Sequence, residues 1–154
     1  MGKVRVIAVW GAAVVAVVAS APGAGAVGPE PDLAYHGEAS MAAGRVDVRF
    51  TALHHGHSAG LEATVRLSWS VPLADRQSLP GMCARSGPQT VVCRTGALPA
   101  DGWGERIALS VRLRGKPSEV TLQLDTVWNG AADRNRANHQ QRVLVLDTGD
   151  TYRF

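Results

Sequence analysis

Residues 61–71 read LEATVRLSWSV, and apolar and polar side chains alternate along the whole stretch. Successive side chains of a β-strand point to opposite faces, so this pattern predicts a strand with one covered face and one face in water. Glu62 and Arg66 belong to the polar face, whereas Trp69 belongs to the apolar face and is expected in the core. The stretch therefore predicts a half-buried strand.

The same alternation recurs along most of the chain. It is clear at 106–114, weaker at 45–53, 119–127 and 142–147, and short at 33–39 and 89–94. Gly, Pro, Asn and Asp cluster between these segments, and no segment shows a sustained helical period. About seven short strands separated by turns predict an all-β protein, an antiparallel β-sandwich whose two inner faces supply the core.

The first 26 residues have the composition of a secretory signal peptide. Lys3 and Arg5 precede an apolar run over 6–19, and the small residues 24–26 follow it. The run is shorter than the roughly 20 residues that span a bilayer, which favours a cleaved signal over a permanent anchor. We therefore expect residues 1–26 to direct export and to be removed.

Cleavage before Val27 leaves a flexible lead-in over 27–32 and one domain over 33–154. The net charge of +3 falls on cleavage, because the signal holds two of the 16 basic residues and none of the 13 acidic ones. No run of basic residues of the kind that neutralises phosphates occurs, and no second long apolar stretch follows. We expect no nucleic-acid partner and no membrane span after cleavage.

Two cysteines, Cys83 and Cys93, stand ten positions apart. Export places them in an oxidising compartment, where an even count favours a disulfide over a pair of free thiols. Closing so short a loop stabilises a fold by about 2–3 kcal/mol in the chain-entropy description. The sequence therefore predicts a Cys83–Cys93 disulfide.

The strands and turns follow one another in a recognisable order. The series is Gly44, the strand 45–53, the turn 54–58, a strand reaching Pro72, Cys93, Gly96-Ala97-Leu98, Gly102, the strand 106–114 and the Asp/Asn-rich turn 133–138. Over roughly 44–147 the chain thereby resembles the immunoglobulin-like repeat domain of bacterial surface and secreted proteins, whose function is largely unknown. His54, His57 and His139 depart from the residues usual at these positions. The resemblance implies an immunoglobulin-like sandwich at the cell surface or in the medium.

The segment Gly56-His57-Ser58-Ala59-Gly60 matches the Gly-x-Ser-x-Gly nucleophile elbow of hydrolases. That motif presents its serine on a sharp turn between a strand and a helix, with an acid and a histidine further along the chain. Here the predicted strand 61–71 follows at once, so we interpret the segment as a hairpin turn. A small secreted hydrolase using Ser58 stays as an alternative.

Two groups of side chains are candidate metal ligands. His54, His55 and His57 suit zinc or copper, although no further ligand is evident and exposed histidines are usually solvated. The turn residues Asp133, Asn135 and Asn138 offer oxygens to calcium. This turn lacks the glycine and distal glutamate of an EF-hand loop, and such side chains commonly bond nearby backbone amides. We predict no cofactor, with a secreted metal-binding protein as an alternative.

Trp103 is the candidate binding residue. It lies in Gly102-Trp103-Gly104, a turn that either exposes the indole or folds it back over the edge of the sandwich. An exposed tryptophan stacks on a sugar ring or anchors a protein contact, but folding back is the commoner outcome. The sequence predicts a secreted, non-catalytic binding or structural module whose partner is an extracellular protein or a cell-wall glycan.

Overall fold

The structure, a computed structural model, describes residues 32–128 and 137–154. The predicted signal peptide and nearly all of the lead-in lie outside these residues. Within them, ten strands form two antiparallel sheets and no helix occurs. The strands are β1 (Leu33–Ala42), β2 (Arg45–His54), β3 (Leu61–Trp69), β4 (Cys83–Gly87), β5 (Thr90–Leu98), β6 (Gly102–Trp103), β7 (Ile107–Arg112), β8 (Glu119–Trp128), β9 (Gln140–Leu146) and β10 (Thr151–Arg153).

The first sheet has the strand order β10-β1-β2, and both β7 and β6 pair with the far edge of β2. β7 pairs with residues 45–50 of β2, whereas the two-residue β6 pairs with residues 53–54. The hairpin between β1 and β2 turns at Ala43 and Gly44, both at positive φ. Glycine adopts this conformation at little cost, which suits it to the tight connection.

The second sheet has the order β4-β5-β3-β8-β9. β3 is its central strand, and the alternation predicted there is confirmed. The side chains of Ala63, Val65, Leu67 and Trp69 are buried, and the polar residues between them face outward. Strand β3 thus has one face in the core and one in solvent.

The two sheets pack face to face as a β-sandwich around one core. Tyr35 and Phe50 from the first sheet and Leu67 and Leu122 from the second are almost fully buried in the same cluster. The Tyr35 and Phe50 rings meet edge to face, with centroids 6.2 Å apart. Burying each such side chain contributes about 1.5–3 kcal/mol. The described ranges contain no helix that is long and apolar enough to span a membrane.

The all-β, two-sheet prediction is confirmed, but the predicted strand count was too low. Three short strands, β4, β6 and β10, were missed, and the strand expected at 89–94 extends from Thr90 to Leu98. The two residues of β6 and the three of β10 are too few to show alternation, and the five of β4 include Ala, Arg, Ser and Gly without an apolar series. Strand β4 pairs with β5, and this pairing sets Cys83 directly opposite Cys93, where the two form the disulfide.

Candidate functional site

An open groove of about 580 Å³ lies on the outer face of the first sheet. Its volume falls within the roughly 300–1,000 Å³ range of small-molecule sites. Six side chains characterise it: His36 and Glu38 of β1, Arg49 of β2, Trp103 of β6, Arg106 just before β7, and Arg153 of β10. The groove is thus assembled from five separate segments of the chain.

Strand pairing brings three of these charged side chains side by side. Glu38 lies directly opposite Arg49 on one neighbouring strand and opposite Arg153 on the other. Directly opposed residues place their Cβ atoms about 4.5–5.5 Å apart. Arg49 Nη1 lies 3.4 Å from Glu38 Oε1. The single carboxylate therefore contacts one arginine and belongs to a residue flanked by arginines on both neighbouring strands.

Trp103 does not fold back over the sandwich edge as expected, because 56% of its surface is exposed. Among the described residues it is the most exposed of the large hydrophobic side chains. Its backbone pairs with Leu53 of β2, and its ring meets the His36 ring at an angle, with centroids 5.3 Å apart. A large apolar ring is therefore held in water at one end of the groove.

Two glycines allow the strands around the groove to approach closely. A Cβ at Gly37 would lie 2.7 Å from Phe50 Cβ and 2.8 Å from Phe154 Cζ, too close for ordinary contacts. The Gly37 amide donates to the Phe154 carbonyl at 2.9 Å, which fixes the end of β10. A Cβ at Gly104 would overlap the Leu98 side chain, and the Gly104 amide donates to the main chain of β2. The residues that follow Arg153 and Trp103 in the chain are therefore hydrogen-bonded to neighbouring backbone, which fixes where these two side chains begin.

The groove concentrates positive charge on a domain that is otherwise almost balanced. Three arginines and one glutamate line it, a net charge of +2 with His36 neutral. The chain from Val27 onward holds 14 basic and 13 acidic residues. Cationic side chains gathered in a concave surface raise the local concentration of anionic ligands.

The Gly-x-Ser-x-Gly segment lies in the connection between β2 and β3. The predicted hairpin turn is wrong, because β2 and β3 belong to different sheets and the segment crosses from one sheet to the other. A strand follows it, where a nucleophile elbow has a helix. His57 Nδ1 lies 2.7 Å from Asp101 Oδ2, and 80% of the His57 side chain is exposed. Within the described part of the chain, no hydrogen bond joins Ser58 to His57.

The three candidate zinc ligands do not converge. His54 is buried at the end of β2, with Nδ1 3.1 Å from the Pro99 carbonyl oxygen, whereas His55 and His57 are exposed. Residues 32–128 and 137–154 contain no group of three His, Cys, Asp or Glu side chains placed to hold a metal ion.

The calcium candidate falls mostly outside the described residues, since Asp133 and Asn135 belong to the segment between Trp128 and Ala137. Asn138 is described, and its Nδ2 donates to Asp32 Oδ1 at 2.5 Å. This bond ties the start of the domain to the segment before β9.

No protein-family model, curated protein or solved structure matches this chain. The resemblance to immunoglobulin-like repeat domains stays a prediction.

Proposed function

We propose that this protein is a secreted, non-catalytic module that binds an extracellular or cell-wall glycan in the groove. The observation that carries the proposal is the exposure of Trp103 at one end of a groove lined by polar side chains. A sugar ring has an apolar face and a polar rim. A tryptophan flanked by arginine, glutamate and histidine side chains complements both surfaces.

The strand order supports an immunoglobulin-like version of the sandwich. One sheet holds β10-β1-β2 with β7 and β6 beside β2, and the other runs β4-β5-β3-β8-β9. Within them, β1-β2-β7 match strands A-B-E and β5-β3-β8-β9 match C′-C-F-G of immunoglobulin domains, whereas β4, β6 and β10 are additions. Surface modules of bacteria use this architecture, as the resemblance implies.

Two features support secretion. The composition of residues 1–26 is that of a cleaved export signal. The Cys83–Cys93 disulfide suits an oxidising compartment, since such bonds are rare in the cytosol. Together they favour a protein that acts in the medium or at the cell wall.

The single carboxylate among the described residues of the groove favours binding over glycoside hydrolysis. Most glycosidases need two carboxyl groups on either side of the scissile bond. Among the described residues that line the groove, only Glu38 carries a carboxylate, and it lies beside Arg49 and Arg153. A sugar held here would therefore be bound without being cleaved.

The test is affinity electrophoresis of the exported protein through gels containing a panel of neutral and acidic polysaccharides. We expect retardation by at least one polysaccharide, and we expect Trp103→Ala to weaken it about tenfold or more, the usual range for a central aromatic contact. Leu144→Ala is the matched control, because Leu144 is a half-exposed apolar residue on the other sheet. No reducing sugar should be released.

Retardation that is equal for Trp103→Ala and the unaltered protein would contradict the assignment of the groove. So would the absence of retardation across the whole panel. Released sugar would contradict the non-catalytic part alone.

A secreted hydrolase is the second candidate, favoured by the contact between His57 Nδ1 and Asp101 Oδ2. This contact resembles the acid–histidine half of a catalytic triad and leaves Nε2 of His57 available. Hydrolysis of a p-nitrophenyl butyrate ester separates the two candidates. Turnover that disappears in Ser58→Ala would establish the hydrolase, and unchanged background rates would eliminate it.

A further inference from the structure

We infer that the ligand of the groove is an acidic polysaccharide, whose sugar ring contacts Trp103 and whose anionic groups bind Arg106, Arg49 and Arg153. This inference rests on the proposed function and adds the chemical class of the glycan. It is carried by the charge of the groove and by the distribution of its arginines around the exposed indole.

The first step is the excess of guanidinium groups. Glu38 lies opposite Arg49 and Arg153, one on each neighbouring strand, and its carboxylate contacts Arg49. Arg106 also lines the groove, and no partner for its side chain occurs in the described part of the chain. Each guanidinium presents five donors in a fork that matches carboxylate, sulfate or phosphate oxygens. At least two positive charges are therefore unmatched.

The second step is the placement of the aromatic ring relative to these charges. Trp103 pairs with Leu53 of β2, and Arg49 lies four residues before Leu53 on that strand. Side chains four residues apart on a strand share one face and lie about 13 Å apart. The Trp103 ring also lies 5.3 Å from the His36 ring, and His36 stands two residues before Glu38 on β1. The indole and the arginines therefore line one groove, where a single chain of sugars can contact both.

The third step separates a glycan from an acidic protein. Stable protein interfaces have an apolar centre and bury about 800 Å² on each partner. Apart from Trp103, the side chains that project into this groove from the described strands are mostly charged or polar. Such a surface lacks the apolar centre that a protein partner needs, but it matches a hydrated, charged polysaccharide.

Substitution of Glu38 provides a test in which the expected result is tighter binding, which a misfolded variant would not show. The Glu38 carboxylate repels an acidic ligand and occupies Arg49 at 3.4 Å. Glu38→Gln removes the negative charge with little change of shape. We expect this substitution to tighten binding of an acidic polysaccharide about threefold or more, since it removes one unit charge at close range from a partly desolvated groove.

The experiment uses the protein exported from the full chain and measures dissociation constants by isothermal titration. The probes are polygalacturonate, its fully methyl-esterified form, chondroitin sulfate and poly-L-glutamate. We expect binding to polygalacturonate or chondroitin sulfate, weaker in 0.5 M NaCl than in 0.05 M because salt screens the charges. Arg106→Ala and Trp103→Ala should each weaken it about tenfold, as expected for a charged hydrogen bond or an aromatic contact.

Arg112→Ala is the matched control, because Arg112 is an exposed arginine at the far end of the same sheet, opposite Arg45. It removes one positive charge without touching the groove, so binding should change less than twofold. Equal losses for Arg112→Ala and Arg106→Ala would overturn the inference by showing that only net charge matters.

The remaining outcomes are distinct. The methyl ester could bind as tightly as polygalacturonate and still depend on Trp103. That result would overturn the inference that the glycan is acidic and would leave the proposed function intact. Equal affinity for poly-L-glutamate would assign the groove to an acidic protein instead. The absence of Trp103-dependent binding to every glycan, here and in the wider panel, would overturn both proposals.

Discussion

Arg66 and Asp125 form a bidentate ion pair on the outer face of the second sheet. Arg66 Nε donates to Asp125 Oδ1 at 2.9 Å, and Nη2 donates to Oδ2 at 2.5 Å. The Asp125 side chain is 11% exposed and that of Arg66 is 47% exposed. The hydrogen bond to Asp125, followed by its negative charge, raises the pKa of Arg66 above its ordinary value. The pair therefore joins β3 to β8 through a nearly buried carboxylate.

Asp125→Asn should lower the free energy of unfolding by about 1 kcal/mol. Hydrogen bonds to charged groups contribute about 1.5–3 kcal/mol, and the value is reduced because half of Arg66 faces water. Because the pKa of Arg66 is raised, its stabilisation is present below the ordinary pKa of arginine and is lost only as pH rises through the raised one. We expect no loss from Arg66 between pH 6 and 9. Urea unfolding at several pH values measures this.

Asp75→Asn is the control for that prediction. Asp75 contacts Arg114 at 2.7 Å, but both side chains are mostly exposed. Exposed ion pairs contribute little, so stability should change by less than about 0.5 kcal/mol. Equal losses in the two variants would show that burial of the carboxylate is not the cause.

Single residues show where sequence patterns succeed and fail. The burial of Trp69 follows from its place on the apolar face of β3, and the structure confirms it. The burial of His54 was missed, because the predicted strand ended at 53 and His54 was assigned to the turn, although it continues the inward series of β2 after Phe50 and Ala52. The exposure of Trp103 could not be predicted from alternation, because a two-residue strand carries no periodic pattern. Its position depends on pairing with β2.

The connection from β3 to β4 illustrates the same limit for larger elements. It crosses from one sheet to the edge of the other, where Leu73 pairs with Leu113 beyond β7. The Gln77 side-chain amide bonds both the amide and the carbonyl of Arg112 on the edge strand β7. An unpaired edge invites association with other strands, and this contact covers part of it. Turn residues in the sequence indicated a loop but not its route.

Arg85 of β4 holds this connection in place. Its guanidinium lies within hydrogen-bonding distance of five main-chain carbonyl oxygens, those of Leu73, Ala74, Asp75, Gly87 and Pro88. The planar fork reaches both the connection and the turn after β4. A lysine carries one ammonium on a flexible stem and does not reproduce this geometry.

Arg85→Lys should therefore lower the free energy of unfolding by about 1–2 kcal/mol, the cost of losing one or two charge-assisted hydrogen bonds that are partly buried. Arg94→Lys is the control, because Arg94 is exposed on the neighbouring strand β5, with no side-chain hydrogen bond to other described residues. Its effect should stay within about 0.5 kcal/mol. Urea unfolding measures the loss of unfolding free energy in both variants. Similar losses would contradict the role of Arg85.

At the scale of the whole molecule, alternation was enough to predict two sheets around one core. It separated the inward from the outward side chains of β2, β3, β7 and β8, because a covered face requires a period of two. In β9 both faces carry apolar residues, so the pattern did not identify Val145 as the buried one. The groove could not be predicted from the sequence. Its side chains come from separate segments, and only the register between β10, β1 and β2 brings Arg153, Glu38 and Arg49 together. Register depends on long-range pairing that no local pattern contains.

Export, the disulfide and the stability of the domain form one connected prediction. If residues 1–26 direct secretion, the protein recovered outside the cytoplasm should begin at Val27 and contain no free thiol after denaturation. Cys83 and Cys93 are directly opposed on paired strands, so oxidation needs no rearrangement of β4 and β5. Reduction should lower the free energy of unfolding by about 2–3 kcal/mol, because the unfolded chain then gains the entropy of an open loop.

Mass spectrometry and thiol titration measure the first two quantities, and urea unfolding with and without reductant measures the third. The double variant Cys83→Ala, Cys93→Ala should show the same loss and no response to reductant. Protein that keeps its first 26 residues would contradict the cleavage. A secreted protein with two free thiols would contradict the link between compartment and disulfide. An unchanged unfolding midpoint on reduction would contradict the predicted contribution of the bridge to stability.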